Sequence, residues 1–385
     1  MLSWLVLQLT DSVAAVAALA AARGLPMLLL AYVGGTLADR VSRLRLLRIT
    51  QSLTLAIVAG YAVYLALGSP VAWSAHIVIG LVGAVWSFDF ANRRTLYTEL
   101  FEPGELATAV PVDTITFTAG LIAGPLIAGI LTRTGGFAVA YMGLAVMHAA
   151  SLALLPAGKR RAPRPAAAAT ERLSIAGRLR TALVTLRGRR ALQATVAVTL
   201  VSNFFAFPFH QMVPVIGRDV LAADALRFGI LVAAWGVGAL AGSVTLAARA
   251  VRRPAWVFFA GMSSLFVCIA GFALSGAYLL SVVLLLAGGV GFSGFASMQI
   301  LITLRTAPPA LRGRALGVVG LAIGVNPLGN VILGLVAEQI GPQAALAGFA
   351  LLGISGLALV RWRYPELGRR AALSDPAPEP APPTS

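Results

Sequence analysis

Gly35-Thr36-Leu37-Ala38-Asp39-Arg40-Val41-Ser42-Arg43 is the stretch that decides how this chain folds. An apolar run over 13–37 precedes it and another over 46–67 follows. The turn between them holds one acid among Arg40, Arg43, Arg45 and Arg48. Runs of this kind meet the ~20 apolar residues that cross a bilayer as a helix. Lipid offers backbone groups no partner outside the segment, so each run must be helical. The same punctuation recurs along the chain. Further runs lie at 71–91, 106–132, 137–156, 191–217, 226–248, 254–275, 278–303, 315–337 and 342–362, which makes eleven. Composition agrees: 58% of residues are hydrophobic and 11% charged, with a mean hydropathy of +0.87. A soluble domain is about 25% charged. A soluble nucleic-acid binder and most soluble enzymes are thereby excluded, despite the net charge of +16. Cys268, the one cysteine, sits in an apolar run, so no intrachain disulfide exists.

The arginines orient the chain. Arg93 and Arg94 end the 71–91 run, ten basic residues lie from Lys159 to Arg190, and Arg249, Arg252 and Arg253 follow 226–248. Arg305, Arg312 and Arg314 follow 278–303, and Arg361, Arg363, Arg369 and Arg370 close the last run. Every second loop is basic, while the alternate loops hold only Arg133, Arg218 and Arg227. By the positive-inside rule the basic side is cytoplasmic and the C-terminus lies inside. The Ala/Arg/Pro-rich stretch 157–190 reads as a solvated linker between a first bundle, 1–156, and a second, 191–364. The Pro/Ala-rich tail, 365–385, reads as disordered.

The two groups of runs repeat. Phe90-Ala91 opens a stretch through Gly124-Pro125 and Gly129 to Gly135. Phe295-Ala296 opens a similar one through Asn326-Pro327 and Gly334 to Gly341, about 205 residues later and in the same orientation. Parallel six-helix repeats joined by a long inner linker match the layout of major facilitator transporters. The repeat demands twelve helices, and the apolar stub Met1–Leu9 spans about half a bilayer. The expectation is an all-α polytopic membrane protein of the major facilitator fold. It has two six-helix bundles and a helix 1 represented by its outer half, about 11.5 helices in all. The eleven runs are accordingly numbered helix 2 to helix 12.

The opening nonapeptide, on the turn between helices 2 and 3, closely resembles the major facilitator signature G-x-L-A-D-R-x-x-R. That resemblance implies a conformational switch. Gly35 lets helices approach, Asp39 beside Arg40 caps helix 11, and Arg43 pairs with an acid at the inner end of helix 4, for which Asp89 is the candidate. Ser42 and Leu44 depart from the common pattern without removing the charges. In helix 5, Gly120, Gly124, Pro125 and Gly129 resemble the G-x-x-x-G-P-x-x-G-G motif of the antiporter branch, with Ala128 in place of a glycine. Pro125 removes a backbone donor and bends the helix, and the glycines admit a close neighbour. Pro308 through Arg312-Gly313-Arg314 to Gly317, Asn92 to Pro103, and Pro214 to Leu221 resemble the enterobactin-exporter and macrolide-efflux type branch.

Ionisable groups inside a membrane are functional candidates by default. Asp113 in helix 5 and His210 in helix 7 are the proton-coupling candidates, since a histidine changes charge near neutral pH. In the family, helices 1, 4, 7 and 10 line the cavity. Asn203, Phe207, His210 and Gln211 of helix 7, Gln299 of helix 10 and Asn326 of helix 11 are the cavity candidates. An aromatic, sparsely polar wall suits a bulky amphipathic molecule. The resemblance implies export of a drug-like or siderophore-like molecule by proton antiport and alternating access. The alternative is an importer or facilitator of the same fold for a small neutral solute. The expected partners are a small-molecule substrate, protons and the lipid bilayer of a bacterial inner membrane, for a monomer that binds no nucleic acid. No metal, nucleotide or nucleophile motif is present, so neither cofactor nor enzymatic activity is expected.

Overall fold

The computed structural model describes residues 1–38, 43–68, 70–100, 103–155, 185–249, 251–308 and 311–365. The central linker up to residue 184 and the tail from 366 lie outside the described residues. Every regular element among the described residues is a helix: α1 (Leu2–Thr10), α2 (Val13–Ala38), α3 (Arg43–Ala66), α4 (Ala72–Leu100) and α5 (Pro103–Ala153). Then come α6 (Arg190–Val201), a π-helical segment (Ser202–Ala206), α7 (Phe209–Asp219), α8 (Ala225–Ala248), α9 (Pro254–Leu274) and α10 (Tyr278–Thr306). The series closes with α11 (Arg312–Ile323), α12 (Asn326–Ile340) and α13 (Pro342–Arg363). Nine helices among the described residues are long and apolar enough to span a bilayer. The chain is a multi-pass membrane protein.

Three departures from unbroken runs have local causes. α5 holds helices 5 and 6 together and turns at Gly136, whose φ of 75° is costly for any residue with a Cβ. Helix 7 is split into α6, the π segment and α7 around Pro208, which has no N–H to donate. Helix 11 is split into α11 and α12 just before Asn326-Pro327, where Pro327 has no N–H to donate to the preceding turn.

The helices gather into two compact units. The first holds the described residues up to 155 together with His210–Ala233 and Asn330–Pro342. The second holds the described residues of Glu171–Phe209, Ala234–Gly329 and Gln343–Ser385. The outer ends of the helices are those opposite the arginine-rich loops. In the first unit an apolar cluster of Val6, Leu7, Val16, Leu19, Ala75 and Val215 joins α1, α2, α4 and α7 at these outer ends. In the second, α9 and α10 meet through paired small residues. A Cβ on Gly261 would fall 2.5 Å from the carbonyl oxygen of Gly291, so only glycine allows that approach.

Candidate functional site

In the second unit the two interrupted helices meet. The π register is shown by the Phe207 N–H donating to Ser202 O at 3.1 Å, five residues back. In that register Asn203 O would accept from residue 208, which is proline and cannot donate. Asn326 supplies the missing donor, its Nδ2 giving a hydrogen bond to Asn203 O at 3.1 Å. The Asn203 side chain donates to Thr199 O at 2.9 Å, and Gln299 Nε2 of α10 donates to Thr199 Oγ1 at 2.6 Å. Helices 7, 10 and 11 are thus tied by one buried polar knot. Such π segments and broken helices concentrate at functional sites. Three cavity candidates, Asn203, Gln299 and Asn326, are brought together here, held by the protein's own groups.

The other three are placed differently. Phe207 packs edge-on against Phe292, with centroids 5.7 Å apart, and tilted on Phe295 at 6.0 Å. Trp235 lies tilted against Phe292, with centroids 4.8 Å apart. His210 is exposed on the first turn of α7. Beside it, Gln211 has a buried Oε1 with no hydrogen-bond partner among the described residues. A buried amide oxygen without a donor is costly. Gln211 is therefore the candidate whose geometry still calls for a donor.

Of the switch motif, Asp39 and Arg40 lie outside the described residues. Gly35 is on α2 and Arg43 begins α3, and their side-chain surroundings are outside the described set. Asp89 is buried on α4 and accepts a hydrogen bond from Thr50 Oγ1 of α3 at 2.9 Å. Asp113 sits on α5, its side chain again outside the described set. The antiporter motif divides in two. A Cβ on Gly129 would stand 2.7 Å from Ala225 O, and one on Gly229 2.5 Å from Pro125 O. Pro125 and Gly129 therefore form a close seam with α8 within the first unit. Gly120 and Gly124 have nothing within 4 Å of a built Cβ.

Sequence reasoning passed over a polar latch at the outer ends of the first unit. Ser12 Oγ and the Ala14 N–H both donate to Glu338 Oε1, at 2.7 and 3.1 Å. A carboxylate from α12 thereby caps the start of α2, where unpaired N–H groups favour an anion. Arg218 Nη1 of α7 reaches Asp11 Oδ1 and Leu7 O, each at 2.7 Å, and also pairs with Asp219. Asp11 takes the left-handed turn between α1 and α2, with φ 50°. Arg133 pairs with Asp224 at 3.5 Å. The scarcity of basic residues in these loops was the available signal, since Arg133 and Arg218 both bond acids. Nearby, His76 bridges α4 and α2, with Nε2 2.9 Å from Ala15 O and Nδ1 3.1 Å from Ala72 O. A second residue passed over is Arg23, the one charge inside the 13–37 run. Its guanidinium lies over the Trp86 ring, 5.4 Å from the centroid.

Known proteins resemble this chain along its length. A family model described as transmembrane secretion effector matches residues 1–383. The multidrug efflux pump Tap of Mycolicibacterium fortuitum is 27% identical over 392 residues, 95% of this chain and 92% of that protein. Among solved structures, a bacterial homologue of the human lysosomal transporter Spinster, inward-facing and unoccupied, superposes with a TM-score of 0.69. It has 14% identity and covers 98% of this chain and 96% of its own. The nucleoside transporter NupG gives a TM-score of 0.66 at 14% identity, over 96% and 94% of the two chains. At such identities these structures show a shared fold and nothing finer.

Proposed function

This chain belongs to the transmembrane secretion effector family of the major facilitator superfamily, so it is an efflux transporter and not an enzyme, and we propose that it exports a small amphipathic molecule by proton antiport through alternating access. Its place is a bacterial cytoplasmic membrane, with the arginine-rich loops and the C-terminus inside. The whole-length similarity to a multidrug efflux pump supports a drug-like cargo.

One observation carries the mechanism. The outer ends of helices 2, 7 and 11 are joined by breakable polar contacts, Glu338 on Ser12 and Ala14 and Arg218 on Asp11. A seal meant to open benefits from such contacts, because water replaces them at little cost when they part. Alternating access then opens and closes this latch around a midplane site, and proton binding shifts the balance between the two arrangements. Asp113 and His210 are the groups proposed to carry the proton. Asp39, Arg40, Arg43 and Asp89 are proposed as the inner counterpart of the outer latch.

The experiment uses everted vesicles from cells expressing the full chain, with the neutral amphipathic dye Nile red added outside under an imposed pH gradient. Export requires uptake into everted vesicles that collapses when a protonophore removes the gradient. Asp113→Asn is expected to abolish the gradient-driven part while leaving expression unchanged. Uptake that ignores the protonophore refutes antiport, and undiminished uptake in Asp113→Asn removes that residue from the coupling path.

A further inference from the structure

Arg23 lies ten residues into α2, which begins at Val13. At 1.5 Å per residue it sits about 15 Å from the outer end of the helix. That is the middle of a hydrocarbon core ~30 Å thick, too deep for the side chain to snorkel to either interface. An independent contact fixes the depth. Gly83 of α4 packs so closely on the carbonyl of Arg23 that a Cβ there would collide with it. Gly83 is eleven residues from the outer start of α4 at Ala72, the same level within about one residue rise. Trp86 stands one turn further in on α4.

A guanidinium is charged at any physiological pH, so this one has to be accommodated as a cation. No carboxylate among the described residues pairs with it. Asp89, three residues beyond Trp86 on the same helix, accepts a hydrogen bond from Thr50 of α3. The contact the structure gives Arg23 is the face of Trp86, and the residue is exposed. A cation–π contact holds the flat guanidinium in one plane but uses none of its five N–H donors. An exposed cation at the midplane belongs where water or a ligand reaches it, since hydrocarbon does not keep it. Substrate sites in this fold lie at that depth.

We propose that Arg23, oriented by Trp86, is an anion-binding subsite for the cargo, and that the exported molecule is an amphipathic anion carrying a carboxylate, sulfonate or phosphate. The fork of N–H donors takes two oxygens of such a group side by side. This inference rests on the export reading and narrows it to a charge class.

The test uses the purified full chain in nanodiscs and two probes, anilinonaphthalene sulfonate as the amphipathic anion and Nile red as the neutral comparator. Binding is read by energy transfer from tryptophan for the first and by dye emission for the second. Arg23→Gln is expected to weaken sulfonate binding about tenfold or more, the scale of a lost charged hydrogen bond, and to change Nile red binding less than about twofold. Arg23→Lys keeps the charge without the flat fork and falls between. Trp86→Phe weakens the stacking face and lowers sulfonate affinity by a smaller factor. Equal loss of both probes in Arg23→Gln overturns the proposal, because it marks a structural arginine. So does unchanged sulfonate binding. Everted vesicles keep the two readings apart. A wild-type protein that binds the sulfonate through Arg23 but accumulates neither probe overturns the export reading and leaves the subsite standing. Accumulation of both probes, with sulfonate uptake indifferent to Arg23→Gln, overturns the subsite alone.

Discussion

The seam between Gly129 and α8 offers a sharp perturbation. In Gly129→Ala the new methyl carbon would stand 2.7 Å from Ala225 O and 3.1 Å from Leu226 Cα. Comfortable separations are about 3.5 Å or more, so the two helices must part by several tenths of an ångström. Both near atoms are backbone and cannot swing aside. Overpacking of this size costs about 1–3 kcal/mol. Alanine also raises helix propensity by up to ~1 kcal/mol over glycine, but that gain is the same whether the outer end is closed or open. The closed arrangement alone bears the clash, so the closed–open balance shifts toward open by roughly 5–150-fold. Gly124→Ala is the internal control. Nothing lies within 4 Å of its Cβ, and it should only stabilise the helix. The assay places a single reactive cysteine at Val215, which is fully buried in the outer apolar cluster, in a Cys268→Ser background. The rate of maleimide labelling then reports outer opening. Gly129→Ala should raise the rate within that range and Gly124→Ala should leave it unchanged. A rate unaltered by Gly129→Ala, or raised equally by both, refutes the reasoning.

The same cysteine tests the latch. Glu338→Gln removes an anionic cap worth about 1 kcal/mol from the start of α2, and labelling at Val215→Cys should rise about fivefold; no rise sinks the capping role. Arg218→Gln should also speed labelling, and the wild type should approach it at high salt, because the pair with the exposed Asp11 is screened; a salt-independent difference assigns the effect to Leu7 O instead. Thr199→Val strips Gln299 Nε2 of its acceptor in a buried site. It should cost about 1–3 kcal/mol of stability, seen as a lower thermal midpoint in detergent. Adding Gln299→Leu should recover part of that loss, and a strictly additive double variant argues against the coupling.

The placement of those test residues shows where the chain's own pattern stops being informative. Gly120, Gly124, Pro125 and Gly129 form one motif on paper, yet only Pro125 and Gly129 touch α8. Small residues at helical spacing say that some neighbour comes close, not which of them meets it. Asn203, Gln299 and Asn326 are polar residues in apolar runs, and Asn326 meets Asn203 O because Pro208 cannot supply its helical donor. Arg23 carried an equally plain signal, a lone charge inside a 26-residue helix, and its meaning lay in Trp86, 63 positions away.

Hydrophobic runs alone determined that the chain crosses a bilayer many times, and arginine placement sets the expectation of which loops share a side. Lipid solvation acts on each segment independently, so those properties are local in the sequence. The helix breaks at Pro208 and Asn326-Pro327 are local too, being consequences of a missing N–H. The tertiary structure decided the rest: that Glu338 caps α2, that Arg218 reaches Asp11 across 207 positions, and that Arg23 lies over a tryptophan with no carboxylate of the described chain beside it. These are pairings between distant segments. Charge and polarity make a residue demand a partner, but packing geometry alone chooses which partner it gets.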